Sequence, residues 1–379
     1  MLTIIVVTIL TFFVIYGPQP LLPLLAETYG VSRPQAALLI TVTMFPLSLA
    51  PITYGYVLEA VPAARLLRLS VLVLGVTTLA FALANLFPLL VGLRFVQGLL
   101  LPAVLTSLMT YLSAWGQGQQ MQRVMSVYVA ATIAGGYFGR LLSGLSATFF
   151  DWHTFFLLLA LALLAMVLPL GRLRVQAEIH GARPSPRLLL DALRHPVYLR
   201  VYAIIFGMFF IFAGMMNFLP FRLVELWGSP SQLLTGLMYT GYLVGVFTSL
   251  GSGWFIERLG GEQPVLRLGI GLYLLVLLAT IGVGGWGLFG LLFLFCGAMF
   301  LVHATAAGWL NRLAERQKGI VNGLYISAYY GGGVLGSYLP GLLYERFSWT
   351  VFILSLAMVA CGVLLLAWRM QPGRRPAPV

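Results

Sequence analysis

The chain offers few side chains that could do chemistry, and the most unusual are two arginines inside long apolar runs. Arg94 and Arg140 are flanked on both sides by apolar residues and glycines. An arginine in a membrane interior costs at least about 2.5–3.5 kcal/mol on insertion scales, so each should face protein and have a partner. Either could bind a substrate anion, a carboxylate or helix carbonyl groups. A structural role in fixing helices is the alternative for both.

Other polar and aromatic side chains fall at matching depths in the apolar runs. We predict that the wall of a small-molecule site is formed by Tyr16, Gln19, Arg94, Gln97, Arg140, Asn217, His303, Tyr325, Tyr329 and Tyr330. Aromatic residues in membrane helices also serve as packing residues, which is the alternative for each tyrosine.

Groups that could bind a proton are scarce. Glu27 and the other acids near the spans lie at helix ends and not in the middle of an apolar run. Histidine ordinarily titrates near neutral pH, and His303 lies deep in such a run. Glu27 and His303 are therefore the candidates for proton binding. A solvated loop acid and a buried neutral histidine with one structural hydrogen bond are the alternatives.

Several function classes are excluded by missing motifs. The sequence has no H-E-x-x-H, no G-x-S-x-G, no phosphate-binding G-x-x-x-x-G-K-[ST] and no paired embedded carboxylates. Its two cysteines, Cys296 and Cys361, lie in apolar runs and form no metal-binding spacing. We therefore expect no enzyme, no cofactor and no metal. The net charge of +12 is spread over short loops, which fits membrane topology and not nucleic-acid binding.

The composition indicates an integral membrane protein in a lipid bilayer. Hydrophobic residues make up 60% of the chain and charged residues 8%, against about 25% charged in soluble domains. A spanning helix needs about 20 apolar residues. We predict an all-α fold with twelve spans, numbered 1 to 12 in order, at 2–28, 36–57, 66–84, 87–113, 122–148, 153–171, 199–226, 231–256, 265–283, 286–311, 319–344 and 348–369.

The chain also matches itself at an offset of 197 residues. Tyr128, Gly135, Gly136, Gly139, Gly144, Trp152 and Phe155 recur as Tyr325, Gly332, Gly333, Gly336, Gly341, Trp349 and Phe352. This constant spacing indicates duplication of a folded half. We predict an N-terminal six-helix bundle at 1–171 (the N half), a cytoplasmic linker at 172–198, a C-terminal bundle at 199–370 (the C half) and a cytoplasmic tail at 371–379.

Basic loops predict the orientation. Most arginines fall on one side of the predicted spans, and Arg33, Arg222 and Arg346 fall on the other. Because basic loops favour the cytoplasm, both termini and the linker should be cytoplasmic. Pro18 and Pro20 interrupt span 1 and Pro220 interrupts span 7. Such breaks free backbone groups that tend to line cavities, although a packing kink is the alternative.

Two loops on the basic side carry a repeated cluster of a glycine, an acid and arginines. We predict a cytoplasmic gate made of Gly55, Glu59, Arg65, Arg68, Gly253, Glu257 and Arg258. The glycine allows close approach of two helices. The acid and the arginine can then form an ion pair that holds one conformation shut.

These loops resemble the signature G-x-x-x-D-R-x-G-R-[RK] of the major facilitator superfamily. The second copy matches in part through Glu257, Arg258 and Gly260, whereas Ala60 and Pro62 replace the arginine and the glycine in the first copy. This departure implies that the ion pair of the gate is weaker in the N half, or that Arg65 and Arg68 supply it.

Two further stretches resemble the drug:proton antiporter branch. Arg94-x-x-Gln97-Gly98 resembles its R-x-x-Q-G element, and the glycine-rich segment 134–144 resembles its antiporter motif without the usual G-P pair. With segments 17–30, 108–115 and 322–336, the whole chain looks most like the acriflavine-sensitivity (YnfM) subfamily.

The resemblance implies a monomeric secondary transporter of the cell inner membrane, with spans 1, 4, 7 and 10 lining the path. It implies export of a small organic compound by alternating access, coupled to protons. Branch members commonly carry a membrane-embedded acid for this coupling, and its absence puts that route in doubt. The alternative is an organic anion transporter or exchanger that uses the buried arginines.

Overall fold

The described residues of both halves are mostly helical. In this computed structural model the backbone is described for residues 1–113, 118–172, 186–314 and 318–370. Side chains are described for the same residues except 52–60, 110, 113, 118–126, 186–188 and 318. In the N half, the helices are Leu2–Tyr16 with Leu22–Tyr29 (span 1), Arg33–Ala60 (2), Ala63–Leu83 (3), Phe87–Ser113 (4), Gly118–Phe149 (5) and Trp152–Leu170 (6).

The C half repeats this order. Its helices are Pro196–Trp227 (span 7); Gln232–Leu237, Val244–Leu250 and Ser252–Leu259 (8); Glu262–Ala279 (9); Gly285–Leu313 (10); Lys318–Gly336 and Leu339–Arg346 (11); and Trp349–Trp368 (12). A short helix, Pro186–Arg194, lies in the linker. All twelve predicted spans fall on helices, and the predicted linker residues 173–185 and tail lie outside the described residues.

Ten of the helices in the described residues are long and apolar enough to cross a membrane. Spans 5 and 11 are not among these ten. These two spans occupy equivalent positions in the halves and carry the repeated glycines and tyrosines, which lower their hydropathy. Small residues let membrane helices approach closely.

The repeated glycines pack span 5 on span 1, and span 11 on span 7. A Cβ atom at Gly135 would lie 2.9 Å from the Ile9 carbonyl oxygen, and one at Gly139 would lie 2.9 Å from Phe13 Cα. The contacts at the same offset in the C half are Gly332 with Phe206 and Gly336 with Phe210. The sequence repeat therefore preserves backbone contacts in each half.

Pro18 in span 1 and Pro220 in span 7 each release one backbone carbonyl group. Pro18 has no N–H for the Val14 carbonyl, and span 1 continues through a 3₁₀ segment, Gln19–Leu21, into its second helix. Pro220 lacks the donor for the Met216 carbonyl, yet span 7 continues unbroken. Span 8 contains its own 3₁₀ segment, Met238–Leu243. Both released carbonyls are taken up by side chains of other spans, as described below.

The last span of each half begins with an equivalent N-cap. The Asp151 carboxylate accepts the backbone N–H of Thr154 at 2.7 Å, and Ser348 accepts that of Val351 at 3.3 Å. The backbone bond to Thr154 is the main cause that lowers the pKa of Asp151 below its ordinary value. Capping by short polar side chains satisfies a helix donor that has no partner inside the helix.

The two ends of the bundle differ in charge. We call the end that carries Arg65, Arg68, Arg258 and Arg312 the basic end, and the other the opposite end. At the opposite end, Arg33 of the N half pairs with Glu225 at 2.7 Å and with Glu345 at 3.7 Å, both of the C half. These ion pairs join the halves at that end.

Candidate substrate-binding site

A cavity of about 560 Å³ lies between the halves, on the side of the bundle nearer the basic end. It is lined by Phe12, Tyr16, Leu47, Ala50, Pro51, Pro102, Leu105, Thr106, Met109, Tyr128, Val129, Thr132, Ile133, Tyr242, Ser249, Phe300, His303, Ile326, Tyr329 and Tyr330. Spans 1, 2, 4, 5, 8, 10 and 11 all contribute. The volume lies within the roughly 300–1,000 Å³ typical of small-molecule sites.

Aromatic rings dominate one wall of the cavity. His303 of span 10 faces Tyr329 of span 11, with ring centroids 5.0 Å apart. Behind it, the Tyr325 hydroxyl lies 3.0 Å from His303 Nδ1 and donates to the His303 carbonyl oxygen at 3.1 Å. Tyr242 of span 8 packs edge-on against Phe300. Rings of this kind offer flat apolar surface together with hydroxyl groups.

Arg140 lies directly behind this wall. Its side chain is 1% exposed. Nε donates to Gln19 Oε1 at 2.6 Å, and Nη1 donates to the Gly136 carbonyl oxygen at 2.6 Å. The guanidinium carbon lies 4.1 Å from the ring centre of Tyr16 and 4.9 Å from those of Tyr239 and Tyr242. A cation–π contact of a desolvated arginine contributes about 2 kcal/mol or more.

A chain of buried hydrogen bonds continues from Arg140 into the C half. Gln19 Nε2 donates to Asn217 Oδ1. Asn217 Nδ2 donates to the Ser337 carbonyl oxygen at 3.4 Å, and the Ser337 hydroxyl lies 2.6 Å from that of Thr41. These hydrogen bonds thus join spans 5, 1, 7, 11 and 2 on the side of the cavity nearer the opposite end. No sequence pattern predicts the order in which these residues are connected.

Arg94 has a different environment. It is 0% exposed and does not line the cavity. Its nitrogens donate to the carbonyl oxygens of Leu39 and Val14 at 2.7 Å and of Ile15 at 3.0 Å, and to Gln97 Oε1 at 2.8 Å. The Val14 carbonyl is the one that Pro18 releases.

Gln97 completes the arrangement around Arg94. Its Nε2 donates to the Thr78 hydroxyl of span 3 at 3.2 Å. Arg94 and Gln97 therefore connect spans 1, 2, 3 and 4 within one half. The released carbonyl at Pro18 is satisfied by protein and does not open to the cavity.

The released carbonyl of the C half has an equivalent partner. The Tyr239 hydroxyl donates to the Met216 carbonyl oxygen at 2.8 Å. Tyr239 therefore has two contacts: its hydroxyl holds spans 7 and 8 together, and its ring faces Arg140 of the N half.

The two proton-binding candidates are far apart. Glu27 is exposed at the opposite end, and the four hydrogen bonds of Arg94 go to other residues. His303 lines the cavity. The structure thus puts one of the two candidates on the cavity wall.

The predicted cytoplasmic gate residues are only partly described. The surroundings of Gly55 and the side chain of Glu59 lie outside the described residues. Arg65 and Arg68 are exposed, as are Glu257 and Arg258. A Cβ atom at Gly253 would meet nothing within 4 Å, so the predicted close helix approach is not made there in this conformation.

Ion pairing near this gate follows a different pattern. The ion pair recorded among the described side chains of the basic end joins Arg312 with Glu262, and both belong to the C half. The ion pairs that join the two halves in the described residues lie at the opposite end instead. The conformation is thus held shut at the end away from the predicted gate.

The family is decided by comparison with known proteins. The family model described as Major Facilitator Superfamily matches residues 4–264 and, in a second match, residues 225–379. This chain belongs to the major facilitator superfamily. It is a secondary transporter of that family and not an enzyme.

Relatives of known sequence cover nearly the whole chain. The inner membrane transport protein YnfM of Escherichia coli is 26% identical over 368 residues, which are 95% of this chain and 88% of YnfM. The uncharacterized major facilitator transporter YybF of Bacillus subtilis is 25% identical over 377 residues, 96% of this chain and 93% of YybF. The predicted resemblance to YnfM is confirmed.

Solved structures share the fold at low identity. A mutant of the nucleoside transporter NupG superposes with a TM-score of 0.81 at 14% identity, covering 97% of this chain and 98% of NupG. A bacterial homologue of the lysosomal transporter Spinster, in an inward-facing and occupied conformation, gives 0.78 at 13% identity, covering 97% and 93%. The predicted all-α major facilitator fold is confirmed.

In this major facilitator chain, the predicted site residues fall into three groups. Those that line the cavity are Tyr16, His303, Tyr329 and Tyr330. Those in the buried layer next to it are Gln19, Arg140, Asn217 and Tyr325. Arg94 and Gln97 form a separate cluster inside the N half.

Sequence reasoning missed five aromatic residues of the site: Phe12, Tyr128, Tyr239, Tyr242 and Phe300. Tyr128 could have been found, because it is the repeat partner of Tyr325. Phe300 lies one turn from His303 on the same helix. Tyr239 and Tyr242 lie in the 3₁₀ segment of span 8, whose changed periodicity hides the face that they present.

Proposed function

We propose that this transporter exports a small organic compound with an aromatic or apolar body across the inner membrane by alternating access. The observation that carries the proposal is the aromatic cavity between the two halves. In the part of the chain that the structure describes, ion pairs between the halves lie at the opposite end. Secondary transporters bind substrate near the midplane at the interface between their repeats, and this cavity occupies that interface.

Direction is proposed from charge. Basic loops favour the cytoplasm, so the basic end should face it and both termini should lie there. The cavity would then be loaded from the cytoplasm in this conformation, as an exporter requires. The similarity to YnfM, an inner membrane transport protein, supports the location.

Coupling is proposed to be proton antiport through His303. This side chain lies on the cavity wall, where substrate and proton can compete for one position. Glu27 is the alternative, but it lies exposed at the opposite end. The closed opposite end would open as the cavity closes, so that a cycle moves substrate outward and protons inward.

Flux into proteoliposomes tests the transport proposal. Thr132→Trp places a large ring in the cavity and should reduce flux of any transported compound at least tenfold. Leu161→Trp is the matched control: Leu161 is 53% exposed on span 6 and does not line the cavity, so flux should stay within about twofold of wild type. Flux should also rise when a proton gradient directed against the substrate is imposed.

Two results would contradict the proposal. Equal flux in Thr132→Trp and wild type would show that substrate does not pass through this cavity. Flux that is indifferent to the imposed pH gradient would remove proton antiport and leave transport itself in place.

A further inference from the structure

Arg140 is a buried cation whose described contacts include no carboxylate. Two of its nitrogens donate to neutral oxygens, of Gln19 and Gly136, and its guanidinium contacts three tyrosine rings. A π face is a weaker counter-charge than a carboxylate or a phosphate, with which a guanidinium forms charge-assisted and bidentate hydrogen bonds. The site is therefore suited to an anion better than to the rings that occupy it.

The rings around Arg140 come from both halves. Arg140 and Tyr16 belong to the N half, whereas Tyr239 and Tyr242 belong to the C half. The bond from the Tyr239 hydroxyl to the Met216 carbonyl ties this ring to span 7. Any rocking of one half against the other must therefore change the distance between the guanidinium and two of its three rings.

Arg140 is also within reach of the cavity. Tyr16 and Tyr242 both line the cavity and both contact Arg140, so the charge lies next to residues of the cavity wall. In a low-dielectric surrounding, a charge at this distance acts strongly on an ion inside the cavity. Movement of either ring would expose the guanidinium to that ion.

At the repeat position of Arg140, the two seams between the halves differ in charge. The repeat position of Arg140 is Ser337, 197 residues later, where a neutral hydroxyl meets Thr41. One seam between the halves (spans 5 and 8) thus carries a cation at the cavity, and the other (spans 2 and 11) carries a neutral pair. A bound anion would therefore be drawn to the first seam.

We propose that Arg140 is the specificity-determining residue of the site and that the substrate is an organic anion: an aromatic or apolar body with a carboxylate, phosphate or sulfonate group. The anionic group takes the place of Tyr242 and Tyr16 at the guanidinium. Release of the C-half rings from Arg140 then accompanies the rocking of the halves. The inference rests on the proposed transport function and names its substrate class.

Three probes with one body and different charge test the proposal: naphthalene-1-carboxylate, naphthalene-1-carboxamide and 1-naphthylmethylammonium. Initial rates of uptake into proteoliposomes give kcat/KM for each. The wild type should prefer the carboxylate to the carboxamide at least tenfold and transport the ammonium least. Arg140→Gln should bring the carboxylate and the carboxamide within about twofold and retain carboxamide flux, which a merely structural role would not predict.

Arg140→Lys is the matched variant, because it keeps the charge and loses the planar fork. It should prefer the carboxylate more than Arg140→Gln does. Tyr242→Leu, which removes a cavity ring and keeps Arg140, should keep the preference for the carboxylate. The retained carboxamide flux of Arg140→Gln shows that this variant is folded.

Several outcomes would overturn the proposal. They are a wild-type preference for the ammonium or the carboxamide, an unchanged preference in Arg140→Gln, or equal loss of preference in Arg140→Lys and Arg140→Gln. In each of these, transport of a non-anionic compound would leave the transporter proposal standing. Absence of flux for all three probes, and for every other compound in the flux assay, would contradict both proposals.

Discussion

Two arginines of the N half have the same burial and opposite surroundings. Arg94 donates to four oxygens, three of them backbone carbonyls of spans 1 and 2. Arg140 donates to two oxygens and contacts three rings, two of which come from the C half. The Arg94 contacts lie within one half, whereas those of Arg140 cross the interface that must open.

This difference in partners distinguishes an arginine that holds helices together from one that belongs to the binding site. A guanidinium whose donors all meet carbonyl and amide oxygens within one half has the same partners in every conformation of that half. One that is shared between halves changes its partners when the halves move. Burial and residue type, which the two arginines have in common, do not distinguish these roles. The hydrogen-bond and ring partners of each arginine do.

The largest effect is expected from removal of the scaffold arginine. Arg94→Ala leaves the carbonyls of Val14, Ile15 and Leu39 without this donor, and a buried group that loses its partner costs about 1–3 kcal/mol. We expect loss of most folded protein, measured as the yield of monodisperse protein in detergent and its Tm. Arg140→Gln is the control and should give folded protein.

A folded Arg94→Ala protein with wild-type Tm would remove the distinction between the two arginines. So would an Arg140→Gln protein as unstable as Arg94→Ala.

The next effect sharpens the role of Arg140. Gln19→Glu places a carboxylate where Gln19 Oε1 now accepts from Arg140 Nε at 2.6 Å. An internal ion pair should occupy the guanidinium, so the preference for naphthalene-1-carboxylate over the carboxamide should fall about tenfold, or about 1.4 kcal/mol. Measurement of kcat/KM for both probes checks this.

Asn217→Asp is the matched control for Gln19→Glu. It places the new charge one hydrogen bond farther from Arg140 and should reduce the preference less. An undiminished preference in Gln19→Glu would mean that the guanidinium does not meet the substrate.

The smallest effect concerns the break in span 1. Pro18→Ala restores a backbone N–H for the Val14 carbonyl, so that carbonyl depends less on Arg94. In a double-mutant cycle, Arg94→Lys should cost less in the Pro18→Ala background by about 1 kcal/mol, within the range for residues in one network. Thermal unfolding of the four proteins measures the coupling, and Pro20→Ala provides a neighbouring control.

Strict additivity of Pro18→Ala and Arg94→Lys would show that the released carbonyl is not what Arg94 serves. The assignment of Arg94 to the released Val14 carbonyl would then be wrong.

Much of the fold could be predicted from the sequence. Two similar helical bundles were predicted from twelve apolar runs, the 197-residue repeat and the glycines at Gly135 and Gly139. The contacts of these glycines recur at Gly332 and Gly336. The lipid environment makes this possible, because a chain in hydrocarbon must satisfy its backbone inside helices.

The site was predicted less completely. His303 and Tyr329 follow from depth and polarity in apolar runs, and both line the cavity. Tyr242 does not follow, because a 3₁₀ segment rotates it away from the periodicity of its helix. Arg94 has the polarity expected of a site residue, yet it lies in a separate cluster. There it donates to the Val14 carbonyl, which Pro18 leaves without a backbone donor.

The sequence by itself determined that this is a duplicated membrane bundle with two buried arginines, since hydropathy, glycine spacing and proline positions act locally along a helix. Only the tertiary structure decided what each arginine does. The partner oxygens of Arg94 on spans 1 and 2 lie 55 to 80 residues away along the chain, and Gln19 lies 121 residues from Arg140. Hydrogen bonds and ring contacts depend on distance and angle in space, which helix packing sets.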